Sequence, residues 1–311
     1  IRSMTETIDA LQLNLGDDGL MVMNISLAVI MFGVALELTV KDFKDIAKNP
    51  KSTLIGSFSQ FLLLPFLTFA LIWIMEPAPS IALGMFMVAA CPGGNISNFF
   101  SLLAKGNPAL SVSMTAIATL LAIVMTPLNF TFWASLYGPT NVLLQEISLD
   151  LWKVFEIIVL ILGIPLILGM VVRHFKSSLA KKISPWIKGF GIVFFGGFVI
   201  VAFWTNFDNF IAYVQFVLLL VFIHNAIALS SGYGIAKLFN LPEPDRRSIS
   251  IETGIQNSGL GLLLIFNFFD GLGGMALITA WWGIWHILAG MSLGWYWSIG
   301  KKSIKRALSN A

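Results

Sequence analysis

The stretch Ser250-Ile-Glu-Thr-Gly-Ile-Gln-Asn-Ser-Gly259 sets a glutamate, Glu252, inside an apolar segment long enough to cross a bilayer. Holding an ionisable group in hydrocarbon costs roughly 2.5–3.5 kcal/mol on insertion scales, so a carboxylate at that depth reads as a functional group with a positive partner. The same ten residues carry two glycines, the amides Gln256 and Asn257 and three hydroxyls. That composition predicts a polar interruption between two half-helices rather than one continuous helix. Such breaks present backbone carbonyls to an ion, because irregular backbone survives in a membrane only where it is buried or lines a cavity.

The rest of the chain fits a membrane setting. Of 311 residues, 57% are hydrophobic and 11% charged, and the mean hydropathy is +0.85. This leaves too little polar surface to cover a soluble globule of that size. No stretch is polar enough for a separate soluble domain, so residues 1–311 read as a single membrane transporter domain. The opening Ile-Arg-Ser, 1–3, reads as a residual tag. The net charge of +3 is then a matter of topology, not of nucleic-acid binding. A single cysteine, Cys91, excludes an intrachain disulfide and a thiolate metal cluster.

Apolar runs of about 20 residues fall near 20–38, 53–75, 80–104, 109–134, 151–172, 187–204, 210–238, 249–269 and 274–298, which predicts nine transmembrane helices in an all-α integral membrane protein. Two runs are interrupted, one at Cys91-Pro-Gly-Gly94 and one between Thr253 and Gly261. With nine crossings, 17 of the 19 lysines and arginines share one face, and only Arg2 and Lys153 lie opposite. Basic loops face the cytoplasm, so the expected orientation is N-terminus outside and C-terminus cytoplasmic, in a bacterial inner (plasma) membrane. Each interrupted run follows a span bearing an amide, Gln60 or Asn225. Each precedes a span with small and polar residues, Ser111 to Thr126 or Thr279 to Ser292. This is the pattern of inverted repeats, whose interface near the midplane holds the binding site.

Glu252 and Gln256 are four apart and share a helix face, and a break there frees the carbonyls of Thr253 and Ile255. The set is all oxygen with one negative charge, which suits a hard monovalent cation, sodium first. The other reading of Glu252 is structural, as a hydrogen bond to a neighbouring helix or a side chain snorkelling to the inner interface five residues past Arg247. In the first half, Gly94-Asn-Ile-Ser-Asn98 follows the break directly, and Ser111 and Thr115 stand one turn apart on the next span. Against a site there, hydroxyls on membrane helices commonly bond the carbonyl four residues back or pack against a neighbour. His174 reads as solvated and His224 as a helix contact. The tryptophans 281, 282, 285, 295 and 297 read as packing and interfacial anchors, and Cys91 as an inert buried thiol.

Cys-Pro-Gly-Gly-Asn-Ile-Ser-Asn at 91–98 and Glu-Thr-Gly-Ile-Gln-Asn-Ser-Gly at 252–259 resemble the two signature breaks of the bile acid:sodium symporter family. Over about 20 to 300 the resemblance is supported by Met31-Phe-Gly-Val-Ala-Leu-Glu-Leu38, Gln60-Phe-Leu-Leu-Leu-Pro65, Thr126-Pro127, His224-Asn225 and Trp285-His286. It implies panel and core domains, two discontinuous helices that cross in the core, two sodium sites at the crossing and a substrate crevice between the domains. It implies a first sodium site from Ser97, Asn98, Ser111, Thr115 and Glu252. The second would use Gln60, Glu252, Gln256 and the carbonyls of Thr253 and Ile255, with Asn95, Asn257 and His286 facing the substrate. The chain departs from the family's pattern in two ways. It lacks the opening helix of ten-span bacterial members, and Ile287 and Ala289 replace polar residues of a Trp-His-Asn-x-Ser-Gly pattern.

The expected function is a sodium-coupled secondary active symporter importing an amphipathic organic anion, a bile acid or a smaller carboxylate such as pantoate, by alternating access. Its cargo is then two co-transported sodium ions and that anion. The alternative is a proton-coupled anion or metalloid efflux antiporter of the same architecture. An enzyme is not expected, since no Ser-His or paired-aspartate arrangement falls within the spans. Beyond the lipid bilayer and the small solutes, no nucleic acid and no obligatory protein partner is expected.

Overall fold

Residues 8–9, 11–13, 16–39, 50–147, 151–205 and 207–299 are described, from a computed structural model. The expected tag at 1–3, Lys41, Lys44 and Lys48 and the residues from 300 onward lie outside them. Among the described residues the architecture is all-helical, with no strand. Helix α1 is Gly16–Ala35. A long rod follows, made of α2 (Pro50–Phe58), a π-helical turn (Ser59–Leu63) and α3 (Leu64–Met75). The first broken pair is α4 (Pro79–Ala90) and α5 (Ile96–Leu103). Next come α6 (Pro108–Leu136) and the short α7 (Gly138–Ile147). A second rod joins α8 (Leu151–Ile158), a π turn (Val159–Gly163) and α9 (Ile164–Phe175). The rest are α10 (Ser177–Thr205), α11 (Phe207–Leu238), the broken pair α12 (Glu243–Gly254) and α13 (Ser258–Phe268), and α14 (Gly273–Ile299).

Six helices among the described residues are long and apolar enough to cross a membrane: Asp18–Ala35, Pro50–Met75, Pro108–Leu136, Trp152–Phe175, Val217–Leu238 and Gly273–Ile299. The apolar half-helices α4 and α13, at 12 and 11 residues, rise about 1.5 Å per residue and so reach only partway through roughly 30 Å of hydrocarbon. From Ser80 to Ala90 every residue of α4 is buried, as are seven consecutive residues of α13 from Leu260 to Phe266. Their all-round apolar sequence follows from that enclosure.

The helices sort into two groups. Helices α1, α9 and α10 pack on one another, while α2 to α6 and α11 to α14 surround the two broken pairs. The groups meet where α8 and its π turn lie on α6 and where α1 lies on α13. At the second contact Asn24 and Asn267 exchange amide hydrogen bonds of 3.2 and 2.9 Å. The start of the chain is tied to the second group too, because Asp9 Oδ1 accepts from the Ser80 N–H at 2.8 Å and supplies the cap that α4 lacks locally.

Proline explains the π turn that carries Gln60. Pro65 has no N–H to give to the Phe61 carbonyl four residues back, and Asn129 Nδ2 donates to that carbonyl instead, at 2.9 Å. Proline and glycine also explain the first break, where Cys91 leaves the helix with φ −69° and ψ 152° ahead of Pro92-Gly-Gly94. The second break is shorter than the expected interval from Thr253 to Gly261. Ile255 is extended, but the helix resumes at Ser258, because Asn257 Oδ1 accepts from the Leu260 N–H at 3.1 Å and caps it. The extended residues of the two breaks pair antiparallel, Gly94 N–H to the Ile255 carbonyl and Asn257 N–H to the Pro92 carbonyl, each 2.8 Å. This reciprocal pair is the crossing.

Candidate functional site

Glu252 lies in the last turn of α12 beside the crossing and is 1% exposed. Its Oε1 accepts from Ser97 Oγ at 2.5 Å, Ser111 Oγ at 2.5 Å and Thr115 Oγ1 at 3.2 Å, and its Oε2 from Thr115 Oγ1 at 3.2 Å. Thr115 Oγ1 also lies 3.4 Å from Asn98 Oδ1. Helices α5, α6 and α12 thus bring together all five residues of the first expected set. The helical spacing accounts for the convergence: Ser97 and Asn98 open α5 directly after the break, and Ser111 and Thr115 stand on one face of α6.

The charge balance of this cluster is what gives it a chemical use. Only neutral hydroxyls meet the carboxylate, and among the described residues no ion pair involves it. A buried anion compensated only by neutral donors favours a cation in reach. Each hydroxyl that donates to Glu252 keeps oxygen lone pairs for such an ion. Among the described residues no three of His, Cys, Asp and Glu cluster, so the donors on offer are the oxygens that hard cations take. The space beside Oε2 is held open by Gly93: a Cβ there would stand 2.9 Å from Oε2, 3.3 Å from the Glu252 carbonyl and 3.7 Å from that of Ile255. Removing one hydroxyl is a direct check. A hydrogen bond to a charged group is worth about 1.5–3 kcal/mol, so Ser111→Ala is expected to raise the half-saturating sodium concentration about tenfold or more, read from sodium-dependent thermal stabilisation.

Of the second expected set, Gln60, Gln256 and the Thr253 carbonyl are linked by hydrogen bonds, which do not reach the Glu252 carboxylate. Gln60 Nε2 donates to Gln256 Oε1 at 2.8 Å and to the Cys91 carbonyl at 3.0 Å. Gln256 Nε2 donates to the Thr253 carbonyl at 2.7 Å, and Thr253 Oγ1 pairs with Ser59 Oγ at 2.9 Å. The Ile255 carbonyl accepts from Gly94. A cation at the Thr253 carbonyl therefore requires the Gln256 amide to turn so that its oxygen faces the ion.

The three residues expected at the substrate are not joined by any hydrogen bond. Asn95 and Asn257 are half-buried at the N-cap positions of α5 and α13, whereas His286 is 5% exposed and its Nδ1 lacks a partner. A cavity of about 710 Å³ does exist, between α11 and α14, but it is lined by residues such as Phe222, Asn225, Tyr233, Ser250 and Trp285 and by none of those three. His224 is the helix contact expected of it: its Nε2 lies 2.7 Å from Thr68 Oγ1 and its ring packs 4.8 Å from that of Trp282. Cys91 takes part through its carbonyl, not its buried thiol.

Sequence reading missed a polar stripe running from Glu252 toward the start of α12. Ser248 Oγ lies 2.6 Å from Ser101 Oγ and accepts from the Asn107 N–H at 2.8 Å. Asp245 accepts from Ser52 at 2.6 Å and Asn107 Nδ2 at 2.8 Å. The signal was present as spacing. Asp245 and Ser248 are seven and four residues before Glu252, Ser101 is four after Ser97, and Asn107 is four before Ser111, so each continues a site face by helical turns.

Apolar membrane-length helices, two crossing breaks and a buried carboxylate at the crossing define a multi-pass helical membrane protein with an intramembrane ionisable hub. A profile described as the Sodium Bile acid symporter family matches residues 24–213. The chain is 35% identical over 285 residues to the uncharacterized sodium-dependent transporter YocS of Bacillus subtilis (strain 168), covering 91% of this chain and 84% of that one. It is 29% identical to the probable chloroplastic sodium/metabolite cotransporter BASS2 of Oryza sativa subsp. japonica, over 83% of this chain and 63% of that one. With the sodium/bile acid cotransporter 4 of Homo sapiens the identity is 31%, over 75% of this chain and 52% of the human protein. The chain thus spans most of the bacterial relative and about half to two thirds of the two eukaryotic ones. It belongs to the sodium bile acid symporter family, a family of transporters, and it is not an enzyme.

Proposed function

We propose that this chain imports an amphipathic organic anion by alternating access, driven by two sodium ions bound around Glu252. The observation that carries the proposal is a carboxylate 1% exposed, met by three hydroxyls and, among the described residues, by no cationic side chain, at the crossing of two broken helices. The first ion would take Ser97, Asn98, Ser111, Thr115 and Glu252. The second would take Gln60, Glu252, Gln256 and the carbonyls of Thr253 and Ile255. A bile acid or a smaller carboxylate such as pantoate would meet Asn95, Asn257 and His286. The reading has nine spans, the two broken pairs among them, in an inner membrane with the N-terminus outside.

Energetics favour two ions over one. At about 100 mV and a tenfold gradient each sodium supplies roughly 2.3 plus 1.4 kcal/mol, while carrying a monovalent anion inward costs about 2.3. One ion leaves roughly 1.4 kcal/mol. Two leave about 5, enough to concentrate a solute several thousandfold. Coupling follows if sodium orders the residues around the crossing, since Asn95 and Asn257 flank the same two breaks and a ligand shifts an equilibrium only through its differential affinity for two states.

The test is uptake into proteoliposomes under an imposed sodium gradient, with taurocholate and pantoate as probe anions. Uptake that requires sodium and saturates is expected, with each solute tightening the binding of the other. Transport that follows pH and ignores sodium would instead assign Glu252 to proton exchange.

A further inference from the structure

We propose that Asn225 is a positioning residue for the second sodium site, fixing which backbone carbonyls of the second break turn toward the ion; the proposal rests on the sodium reading above. Asn225 sits on α11, 1% exposed, and its Nδ2 donates to the Gly254 carbonyl at 2.7 Å. The neighbouring carbonyls bond elsewhere: Thr253 accepts from Gln256 Nε2, whose Oε1 accepts in turn from Gln60, and Ile255 accepts from the Gly94 N–H of the first break. Asn225 therefore draws one carbonyl of three consecutive ones away from the crossing and leaves the two flanking it on the ion side.

Three further observations set this bond apart from ordinary packing. The amide's Oδ1 is buried with no partner, so its orientation is set by the Gly254 carbonyl alone, and the fold tolerates an unmet acceptor to keep that one bond. Gly254 permits the approach, since a Cβ there would lie 2.3 Å from Leu229 Cδ2 on α11. The arrangement is also duplicated. Gln60, the single amide of the span before the first break, donates in the same way to the Cys91 carbonyl at 3.0 Å, where α4 ends. Each break thus has a carbonyl at the end of its first half-helix held by an amide from the span before it, at the last helical residue Gly254 in one and at the residue after the helix, Cys91, in the other.

The experiment compares purified wild type, Asn225→Ala and Asn225→Thr by sodium-dependent thermal stabilisation, without any organic substrate, and then by uptake. Asn225→Ala is expected to raise the half-saturating sodium concentration about five- to tenfold, the effect of about one lost buried hydrogen bond. Asn225→Thr keeps a donor and recovers at least half of the shift. The probe anion's KM at saturating sodium should stay within about twofold of wild type, because a hydrogen bond that acts only through the ion leaves it unaltered once sodium saturates. A sodium response in both variants equal to wild type overturns the inference while leaving the transport reading standing. So does Asn225→Thr behaving no better than Asn225→Ala, or a KM that moves with the sodium requirement, either of which marks a merely structural residue. Absence of any sodium response in wild type would remove the transport reading and this inference together.

Discussion

Glu252→Gln is expected to abolish sodium-driven uptake while the protein still folds. The substitution is isosteric and the amide can keep hydrogen bonds with Ser97, Ser111 and Thr115, all now bonded to the carboxylate. What it removes is the one negative charge of the cluster. Taking a charge out of water is costly, and a neutral group of the same shape escapes that cost, so the variant should be at least as stable as wild type in sodium-free buffer. Wild type should gain stability as sodium is added, by mass action, and the variant should not. Half-saturation shifted about a hundredfold or beyond measurement is the expected size, since the proposed mechanism gives both ions the same carboxylate. Equal sodium stabilisation of both proteins would remove Glu252 from ion binding.

Gly93→Ala should come close to that effect by a different route. The added methyl would lie 2.9 Å from Glu252 Oε2 and 3.3 Å from the Glu252 carbonyl. The carboxylate cannot simply swing aside, because three hydroxyls hold it. An alanine there occupies space beside the oxygens that an ion needs, without taking away a ligand. Gly93 has no positive φ, so alanine is permitted by the backbone and the crossing bonds of Gly94 and Asn257 can survive. Sodium affinity should fall about tenfold or more, with a lower sodium-free melting temperature from the same close contact. A variant that melts early and binds sodium normally would show that Gly93 serves packing instead.

Much of this arrangement could be read from the chain because the membrane restricts what a polar residue can mean. A glutamate, two amides and a Pro-Gly-Gly break in apolar runs have few satisfactory explanations there; helical spacing pairs Ser111 with Thr115, whereas their meeting with Ser97, Asn98 and Glu252 was implied by the family resemblance. The breaks were legible from proline and glycine. Their pairing was not, because no local pattern says that Gly94 will meet Ile255 across 161 positions of sequence. The end of the second break was read too late because Asn257 looks like a polar interruption but acts as a helix cap. Pro65 was visible, but the π turn it induces, with Asn129 filling the empty place, depends on a helix elsewhere in the fold. The burial of His286 likewise depends on its neighbours in space, and a Trp-His pair in sequence carries no sign of it.

Equilibrium binding of radiolabelled sodium to purified protein, wild type beside Glu252→Gln, is the most direct measurement of the central claim. Saturation at two ions per chain in the wild type and none in the variant is the result predicted. Binding that is the same in both, or a wild type that takes up no sodium, would contradict it.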